Sequence, residues 1–121
     1  MEVILDTSFI LTCLNEKIDF LEAEEYGRLV LPIQVLEELD KLQEKPGKEG
    51  DNVRLALDII GKNRDKFKIA DLRKRYVDSG ILNYVKGNKV VIATIDAELK
   101  KKLKGKAKIL TIRARKKLIL E

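Results

Sequence analysis

Short apolar runs alternate along this chain with longer amphipathic segments, and the alternation predicts its elements. Apolar or β-rich runs predict strands at residues 3–5, 28–31, 67–70, 89–93 and 108–112, and 118–120 fits a short edge strand or an association surface. Apolar residues at helical spacing predict helices over 7–26, with a break near 15–19, over about 33–44, over 53–61, from 78 and over 97–105. The Pro- and Gly-containing stretch 43–52 is predicted to be a polar loop, with Pro32 in the first turn of the helix before it. The basic stretch 71–77 has no pattern that assigns an element.

Strand and helix alternate throughout, which predicts a Rossmann-like α/β fold: a three-layer α/β/α sandwich around a mainly parallel sheet of about five strands. The 121 residues are expected to form a single domain, 1–121, that ends in a basic segment, 97–121. Sites in such sheets lie at the carboxyl ends of the strands, near the point where the strand order reverses. Asp6 and Asp96 follow two predicted central strands and are therefore expected at such a site.

Composition removes several classes of chemistry. The chain has no histidine, which excludes histidine-assisted nucleophiles and zinc sites built on histidine. Its one cysteine, Cys13, cannot form an internal disulfide and is interpreted as a small buried apolar residue. No stretch approaches the roughly 20 apolar residues that span a bilayer, and the start lacks a signal-peptide pattern. We therefore expect a soluble, cytoplasmic protein whose chemistry depends on carboxylates and hydroxyls.

Charge is distributed unevenly. Residues 1–96 hold 15 Lys and Arg against 18 Asp and Glu, whereas residues 97–121 hold 10 against 2. Such an excess can be an ordinary solvated helix face. It can also be a surface that contacts phosphates, and this second interpretation is favoured because the excess continues beyond the predicted helix. The candidate RNA-binding residues are Lys100, Lys101, Lys104, Arg113, Arg115, Lys116 and Lys117.

Four acids are expected to meet at one edge of the sheet: Asp6, Glu38, Asp78 and Asp96. Glu38 lies on the border of its helix's apolar stripe, whereas Glu37 should point away. Grouped carboxylates repel one another, so a hard cation such as Mg²⁺ or Mn²⁺ is the natural partner, and it would activate water for phosphodiester hydrolysis. Each aspartate also stands where a helix N-cap is expected, so capping is the alternative for any one of them.

The blocks Ile4-Leu5-Asp6-Thr7-Ser8, Glu38-Leu39-Asp40-Lys41-Leu42, Asp78-Ser79-Gly80-Ile81 and Ala93-Thr94-Ile95-Asp96-Ala97-Glu98-Leu99 together resemble a PIN domain over essentially the whole chain. The fourth block and its Lys-rich helix are most similar to the branch of ribosomal-RNA-processing endonucleases and their archaeal relatives. The resemblance implies a ribonuclease that depends on Mg²⁺ or Mn²⁺, with the four acids as ligands and catalytic residues. It also implies supporting roles for Thr7, Ser8 and Thr94, and a homodimer or another protein partner.

The sequence therefore predicts an endoribonuclease whose metal-activated water leaves a 5′-phosphate and a 3′-hydroxyl. Low aromatic content argues against extensive base stacking on the RNA. Three alternatives stay open: an inactive PIN-like module that binds RNA or protein, a toxin-type PIN ribonuclease of a toxin–antitoxin pair, and a phospho-accepting receiver domain. The receiver is disfavoured because Glu2 and Asp6 are too far apart to form its acid pair. A nucleotide-binding Rossmann domain is excluded because Asp6-Thr7-Ser8 replaces the glycine-rich turn.

Overall fold

The chain, described over residues 1–121 by a computed structural model, forms one six-stranded sheet and five α-helices. The strands are β1 (Glu2–Leu5), β2 (Arg28–Pro32), β3 (Phe67–Ala70), β4 (Val90–Ala93), β5 (Lys108–Arg113) and β6 (Lys117–Leu120). The helices are α1 (Thr7–Asn15), α2 (Ile33–Leu42), α3 (Gly47–Lys62), α4 (Val77–Tyr84) and α5 (Ala97–Leu103). Two 3₁₀ segments, Phe20–Tyr26 and Arg64–Lys66, precede β2 and β3.

The strand order β3-β2-β1-β4-β5-β6 places the reversal between β1 and β4. β1 to β5 are parallel, and only β6 is antiparallel to its neighbour. Leu5 is in register with Ala93, and the Asp6 amide continues the ladder by donating to the Ala93 carbonyl at 3.0 Å. The residues that follow β1 and β4 therefore lie side by side at the carboxyl edge, as the sequence predicted.

Both faces of the sheet are covered, which explains why its central strands are continuous apolar runs. Val3, Ile4 and Leu5 in β1 have no exposed surface, and they join a single core of 31 buried residues. Helices α1, α2 and α3 pack against one another, as do α4 and α5. Right-handed crossovers place these two groups on opposite faces. The predicted three-layer α/β/α sandwich is confirmed.

The predicted loop at 43–52 is wrong beyond residue 46, because α3 already begins at Gly47. The Arg54 guanidinium donates to the Gln43 carbonyl and to Asp51 Oδ1, which ties the start of α3 to the end of α2. Gly50 is buried so close to the Lys45 carbonyl that a Cβ would collide with it. The local sequence suggests that Gly50 interrupts a helix. Glycine is instead required there because the two backbone segments approach too closely for a side chain.

Other predicted boundaries shift by small amounts. The sheet has six strands rather than about five, because 117–120 pairs with β5 as an antiparallel edge strand. The first helix ends at Asn15 and its second limb is the 3₁₀ segment, which agrees with the predicted break. Pro32 ends β2 and stands at the N-cap of α2, one position before the predicted first turn. α2 ends at Leu42.

Cys13 is fully buried in α1, and burial raises the pKa of its thiol to about 12. Its interpretation as a small core residue is confirmed, because an inert protonated thiol of this kind is a poor nucleophile. None of the helices is long and apolar enough to cross a membrane.

Candidate active site

Asp6 is the buried centre of the site, with 5% of its surface exposed. It follows β1 directly and caps α1, because its Oδ1 accepts a hydrogen bond from the Thr7 amide at 2.9 Å. Its Oδ2 accepts two further hydrogen bonds, from the Ser8 hydroxyl at 2.8 Å and from the Thr94 hydroxyl at 2.6 Å. Three donors therefore fix this carboxylate in one orientation.

The same two hydroxyls hold the loop that follows β4. Thr94 Oγ1 accepts from the Asp96 amide at 3.1 Å, and Ser8 Oγ accepts from the Ile95 amide at 3.2 Å. Because their lone pairs are engaged by backbone amides, their protons are directed to Asp6. Ser8 and Thr94 thus couple the position of Asp6 to that of Asp96, across the reversal point of the sheet.

The capping alternative separates the three aspartates. Asp96 caps α5, with its Oδ1 accepting from the amides of Glu98 at 2.9 Å and Leu99 at 3.1 Å. Asp78 is not a cap: Tyr76 holds the N-cap position of α4, and Asp78 lies inside the first turn without a side-chain capping bond. Helix capping therefore explains in part why Asp6 and Asp96 stand at helix starts, but it does not explain the position of Asp78.

Mutual repulsion shows that these acids lie within electrostatic reach of one another. Burial raises the pKa of Asp6, and the charge of Asp96 adds to the rise, against the opposing hydrogen bonds. Partial burial raises the pKa of Asp78, and the charges of Asp6 and Asp96 raise it further. Partial burial also raises the pKa of Glu38, with added repulsion from Asp6 and Asp78. Electrostatic repulsion thus links Glu38 to Asp6 and Asp78, and it links those two aspartates to Asp96.

Thr7 lies between Asp6 and Glu38. The Thr7 hydroxyl acts to lower the pKa of Glu38, against the effect of burial. Thr7 Oγ1 is itself buried, and no atom lies in hydrogen-bonding geometry to it. An unpaired buried hydroxyl costs roughly 1–3 kcal/mol. A polar group bound beside Glu38 would offset that cost.

No three side chains of the types that ligate metals are grouped so that they could hold an ion together. The donor chemistry nevertheless fits a hard cation: every candidate donor is an oxygen, and three of the four acids have raised pKa values. Mg²⁺ commonly binds through one or two carboxylates and keeps several waters. Such an ion does not require three carboxylates in direct contact with it.

The predicted RNA-binding residues fall into two groups. Arg113, Arg115, Lys116 and Lys117 are exposed at the turn between β5 and β6. Because β5 is parallel to β4, this turn lies at the same sheet edge as the acids. Lys101 and Lys104 follow α5 away from that edge, and Lys104 is its C-cap. Lys100 is already engaged, since its Nζ donates to Thr111 Oγ1 at 2.8 Å and lies 3.6 Å from Glu121 Oε1.

Sequence reasoning missed two further charges of the site. Glu98 raises the pKa of Asp78 and Lys102 lowers it, so both act on the same carboxylate. They lie four residues apart on α5, and that spacing places them on one helix face. Their four-residue spacing in the sequence could have indicated that they share this helix face. The basic stretch 71–77 and Lys41, which line a groove beside Glu38, were also not assigned to the site.

Comparison with known proteins agrees with the fold. Residues 3–117 match the model of a family described as a PIN-like domain. Ribonuclease VapC4 of Methanocaldococcus jannaschii is 39% identical over 111 residues, which cover 84% of this chain and 82% of that protein. The solved PIN domain endonuclease Utp24 superposes with a TM-score of 0.80 at 29% identity, over 99% of this chain and 90% of that one. On this evidence the chain belongs to the PIN-domain ribonuclease family.

Proposed function

We propose that this protein is an endoribonuclease that depends on Mg²⁺ or Mn²⁺ and hydrolyses RNA phosphodiester bonds. The observation that carries the proposal is the cluster of four acids at the sheet edge, in which the pKa values of Asp6, Glu38 and Asp78 are raised. Grouped, partly buried carboxylates are costly in the free protein, and a cation would offset that cost. The membership in the PIN family supports the same activity.

Asp6, Glu38, Asp78 and Asp96 would hold the metal, one or two of them directly and the others through its bound waters. Asp6 is the best-oriented donor because three hydrogen bonds fix it. When bound, Mg²⁺ or Mn²⁺ supplies an acidified water and charge stabilisation for phosphodiester hydrolysis. Ser8 and Thr94 are positioning residues, since they orient Asp6 and the Asp96 amide together. The Thr7 hydroxyl, which lacks a partner, would accept or donate one further hydrogen bond beside Glu38.

Substrate binding would come from the basic turn at the same edge, Arg113–Lys117, with Lys101 and Lys104 extending the surface along α5. Contacts of this type bind phosphates and read no sequence. Lys100 would contribute less than its neighbours because its ammonium is committed to Thr111 and Glu121. Structured ribosomal RNA is the substrate class we propose, on the resemblance of the sequence to the ribosomal-RNA-processing branch.

The test compares two adjacent glutamates of α2. Glu37 and Glu38 line the same groove, so Glu37→Gln and Glu38→Gln change its charge equally. Only Glu38 is coupled to Asp6 and Asp78. Cleavage of a structured ribosomal RNA fragment is followed in Mn²⁺ and in EDTA, with RNA binding measured in parallel and the product ends mapped.

We expect the wild type and Glu37→Gln to cut in Mn²⁺, with 5′-phosphate ends, and neither to cut in EDTA. Glu38→Gln should lose about 100-fold or more in rate, which is the typical effect of removing one group that stabilises transition-state charge, while RNA binding changes equally in both variants. Equal cleavage by the two variants, or cleavage in EDTA, contradicts the proposal. Binding without cleavage by any of the three proteins would favour the RNA-binding module instead.

A further inference from the structure

A groove of about 430 Å³ adjoins the acid cluster on the Glu38 side. One wall is α2, and the other is formed by residues 74–77. Residues 74–76 belong to the segment 71–76, which joins β3 to α4 and which the sequence pattern did not assign. Because Glu38 lines both the groove and the acid cluster, the groove leads directly away from the reaction centre. The residues that line it are Gln34, Glu37, Glu38, Lys41, Lys74, Arg75, Tyr76 and Val77.

The segment 71–76 is held in place rather than loosely attached. The Gln34 amide binds it twice, donating to Asp71 Oδ1 at 2.9 Å and accepting from the Leu72 amide at 3.1 Å. Asp71 Oδ1 also accepts from the Arg73 amide at 2.8 Å. Leu72 is buried against Gly80 of α4, where a Cβ would lie 2.7 Å from the Leu72 Cβ. This anchoring fixes the side chains that follow it at the mouth of the groove.

Tyr76 is the most exposed large side chain of apolar character in the protein, with 67% of its surface accessible. The Arg75 guanidinium lies over its ring, 5.5 Å from the ring centroid. Core packing does not explain an aromatic ring in this position. Nucleic-acid-binding proteins stack bases on exposed aromatic rings, and a neighbouring Arg adds a cation–π contribution.

The charges of the segment complement a phosphate chain. Arg73, Lys74 and Arg75 are consecutive and exposed, and Lys41 faces them from α2. Glu37 and Glu38 lie on the α2 side, so the groove is acidic toward the reaction centre and basic toward Tyr76. The basic end would therefore attract a phosphate of a bound strand, whereas a phosphate at the acidic end would need the proposed cation beside it.

We propose that Tyr76 stacks one base of the bound RNA in this groove, next to the cleaved bond, and that Lys74 binds the adjoining phosphate. The proposal rests on the proposed ribonuclease function and names two residues that position its substrate. A duplex keeps its bases stacked inside and cannot place one on Tyr76. The stacking contact is tolerant of base identity, so it positions a nucleotide without selecting a sequence. A single stacked base is compatible with the low aromatic content of the chain.

The experiment measures binding without cleavage. Wild type, Tyr76→Ala, Tyr76→Phe, Lys74→Ala and Lys48→Ala are titrated in EDTA against two labelled probes, and gels check that the probes stay intact. One probe is a 12-nucleotide oligoadenylate, and the other is an abasic chain with the same number of phosphates. Lys48 is the matched control, since it is equally exposed but lies on α3 outside the groove. Thermal unfolding of each variant confirms that it is folded.

Tyr76→Ala should weaken binding of oligoadenylate roughly tenfold, as loss of one base–aromatic stack does, and leave binding of the abasic chain within about twofold. Tyr76→Phe keeps the ring and should behave as the wild type. Lys74→Ala should weaken the binding of both probes. It should also reduce the slope of log affinity against log salt concentration by about 0.7. Lys48→Ala should change neither the affinities nor the slope.

The inference is overturned if Tyr76→Ala affects both probes equally or neither, or if no probe binds the wild type. Its failure is distinguishable from failure of the nuclease proposal, which is scored by metal-dependent cleavage with Glu37→Gln and Glu38→Gln. If the protein cleaves RNA but Tyr76→Ala does not selectively weaken binding of the probe that carries bases, only the subsite proposal is contradicted. Base-specific dependence without cleavage would leave an RNA-binding groove on an inactive domain.

Discussion

The two ends of β1 carry acids in opposite electrostatic situations. Glu2, at the amino end, accepts hydrogen bonds from Lys68 Nζ at 2.8 Å and from the Tyr84 hydroxyl at 2.6 Å. These partners hold its pKa below the ordinary value. Asp6, at the carboxyl end, is buried beside other acids and has a raised pKa. One end of the strand is neutralised within the protein, and the other retains excess negative charge.

This difference separates an acid that stabilises the fold from the acids to which we assign the proposed metal site. Glu2 joins β1, β3 and α4 through its two partners, so its charge contributes to packing. Asp6 and Asp96 accept hydrogen bonds from hydroxyl or amide donors. No Lys or Arg forms a salt bridge with any of the four carboxyl-edge acids. Proteins commonly give up stability in this way where function needs a strained or charged site.

The largest expected effect is on activity. Asp6→Asn should reduce the cleavage rate by 100-fold or more, because it removes the best-fixed candidate ligand. Glu2→Gln should leave the rate within about twofold, since Glu2 lies at the opposite edge of the sheet. The measurement is Mn²⁺-dependent cleavage of one structured RNA by both variants at equal concentration.

Asp6→Asn also places an amide where only an acceptor fits. With its oxygen toward Ser8 and Thr94, its NH₂ group meets the Thr7 amide, and the reverse orientation meets two hydroxyl donors. Unfolding curves must therefore accompany the assay. Full activity in folded Asp6→Asn would contradict the assignment of Asp6 to the metal site.

The second prediction concerns the coupling of Asp6 to Asp96. Thr94→Val keeps the shape of the side chain but removes the donor to Asp6 and the acceptor of the Asp96 amide. Leaving two buried polar groups without this partner should lower the free energy of unfolding by about 1–3 kcal/mol. Activity should fall roughly tenfold, as when the support of a metal ligand is lost.

Thr111→Val is the matched control for this measurement, because Thr111 is a buried threonine of the neighbouring strand whose hydroxyl accepts from Lys100 instead. It should lose some stability without the same loss of activity. Equal loss of activity in the two variants would mean that Thr94 acts on the fold in general and not on Asp6.

The sequence predicted what depends on regular patterns. The apolar runs located β1 and β4, the alternation of elements predicted parallel strands, and parallel strands bring Asp6 and Asp96 to one edge. The start of α3 was missed because the reason for Gly50 is a contact with the Lys45 carbonyl, which is not encoded in local propensity. The conformation of segment 71–76 was missed for the same kind of reason, since Gln34 of α2 and Gly80 of α4 fix it through contacts distant in sequence.

Within the candidate site, the placement of Asp6 and Asp96 at one edge of the sheet was predictable, but whether each helix-start aspartate caps its helix was not. A helix-start aspartate looks the same in sequence whether it caps or not, yet Asp96 caps α5 and Asp78 does not cap α4. The difference arises because segment 71–76 makes Tyr76 the N-cap residue, which moves Asp78 into the first turn. Likewise, the hydroxyl bridges from Ser8 and Thr94 require the register of β1 against β4.

The smallest expected effect is on the stability of the metal-free protein, and it has opposite signs at the two ends of the sheet. Asp78→Asn should raise the free energy of unfolding at pH 7 by about 1 kcal/mol, since it removes a repelled carboxylate. Glu2→Gln should lower it by a similar or smaller amount, about 0.5–1 kcal/mol, because it weakens a partly exposed ion pair. Thermal unfolding in EDTA measures both.

The pH dependence of these two differences gives the sharper test. The pKa of Asp78 is raised above its ordinary value of 3.8, so the folded state takes up its proton first, and the cost of its charge disappears as pH falls through the raised pKa. The advantage of Asp78→Asn should therefore shrink on acidification and vanish below about pH 3.8.

The pKa of Glu2 is lowered from 4.5, so its contribution to the free energy of unfolding is complete above that pH and is lost as pH falls through the lowered pKa. As the pH falls toward this lowered pKa, the free energy of unfolding of Glu2→Gln should approach that of the wild type. The two should become equal at a pH more acidic than 4.5. If Asp78→Asn is less stable than the wild type at pH 7, the carboxyl-edge acids do not repel one another, and the electrostatic argument for a cation there is lost.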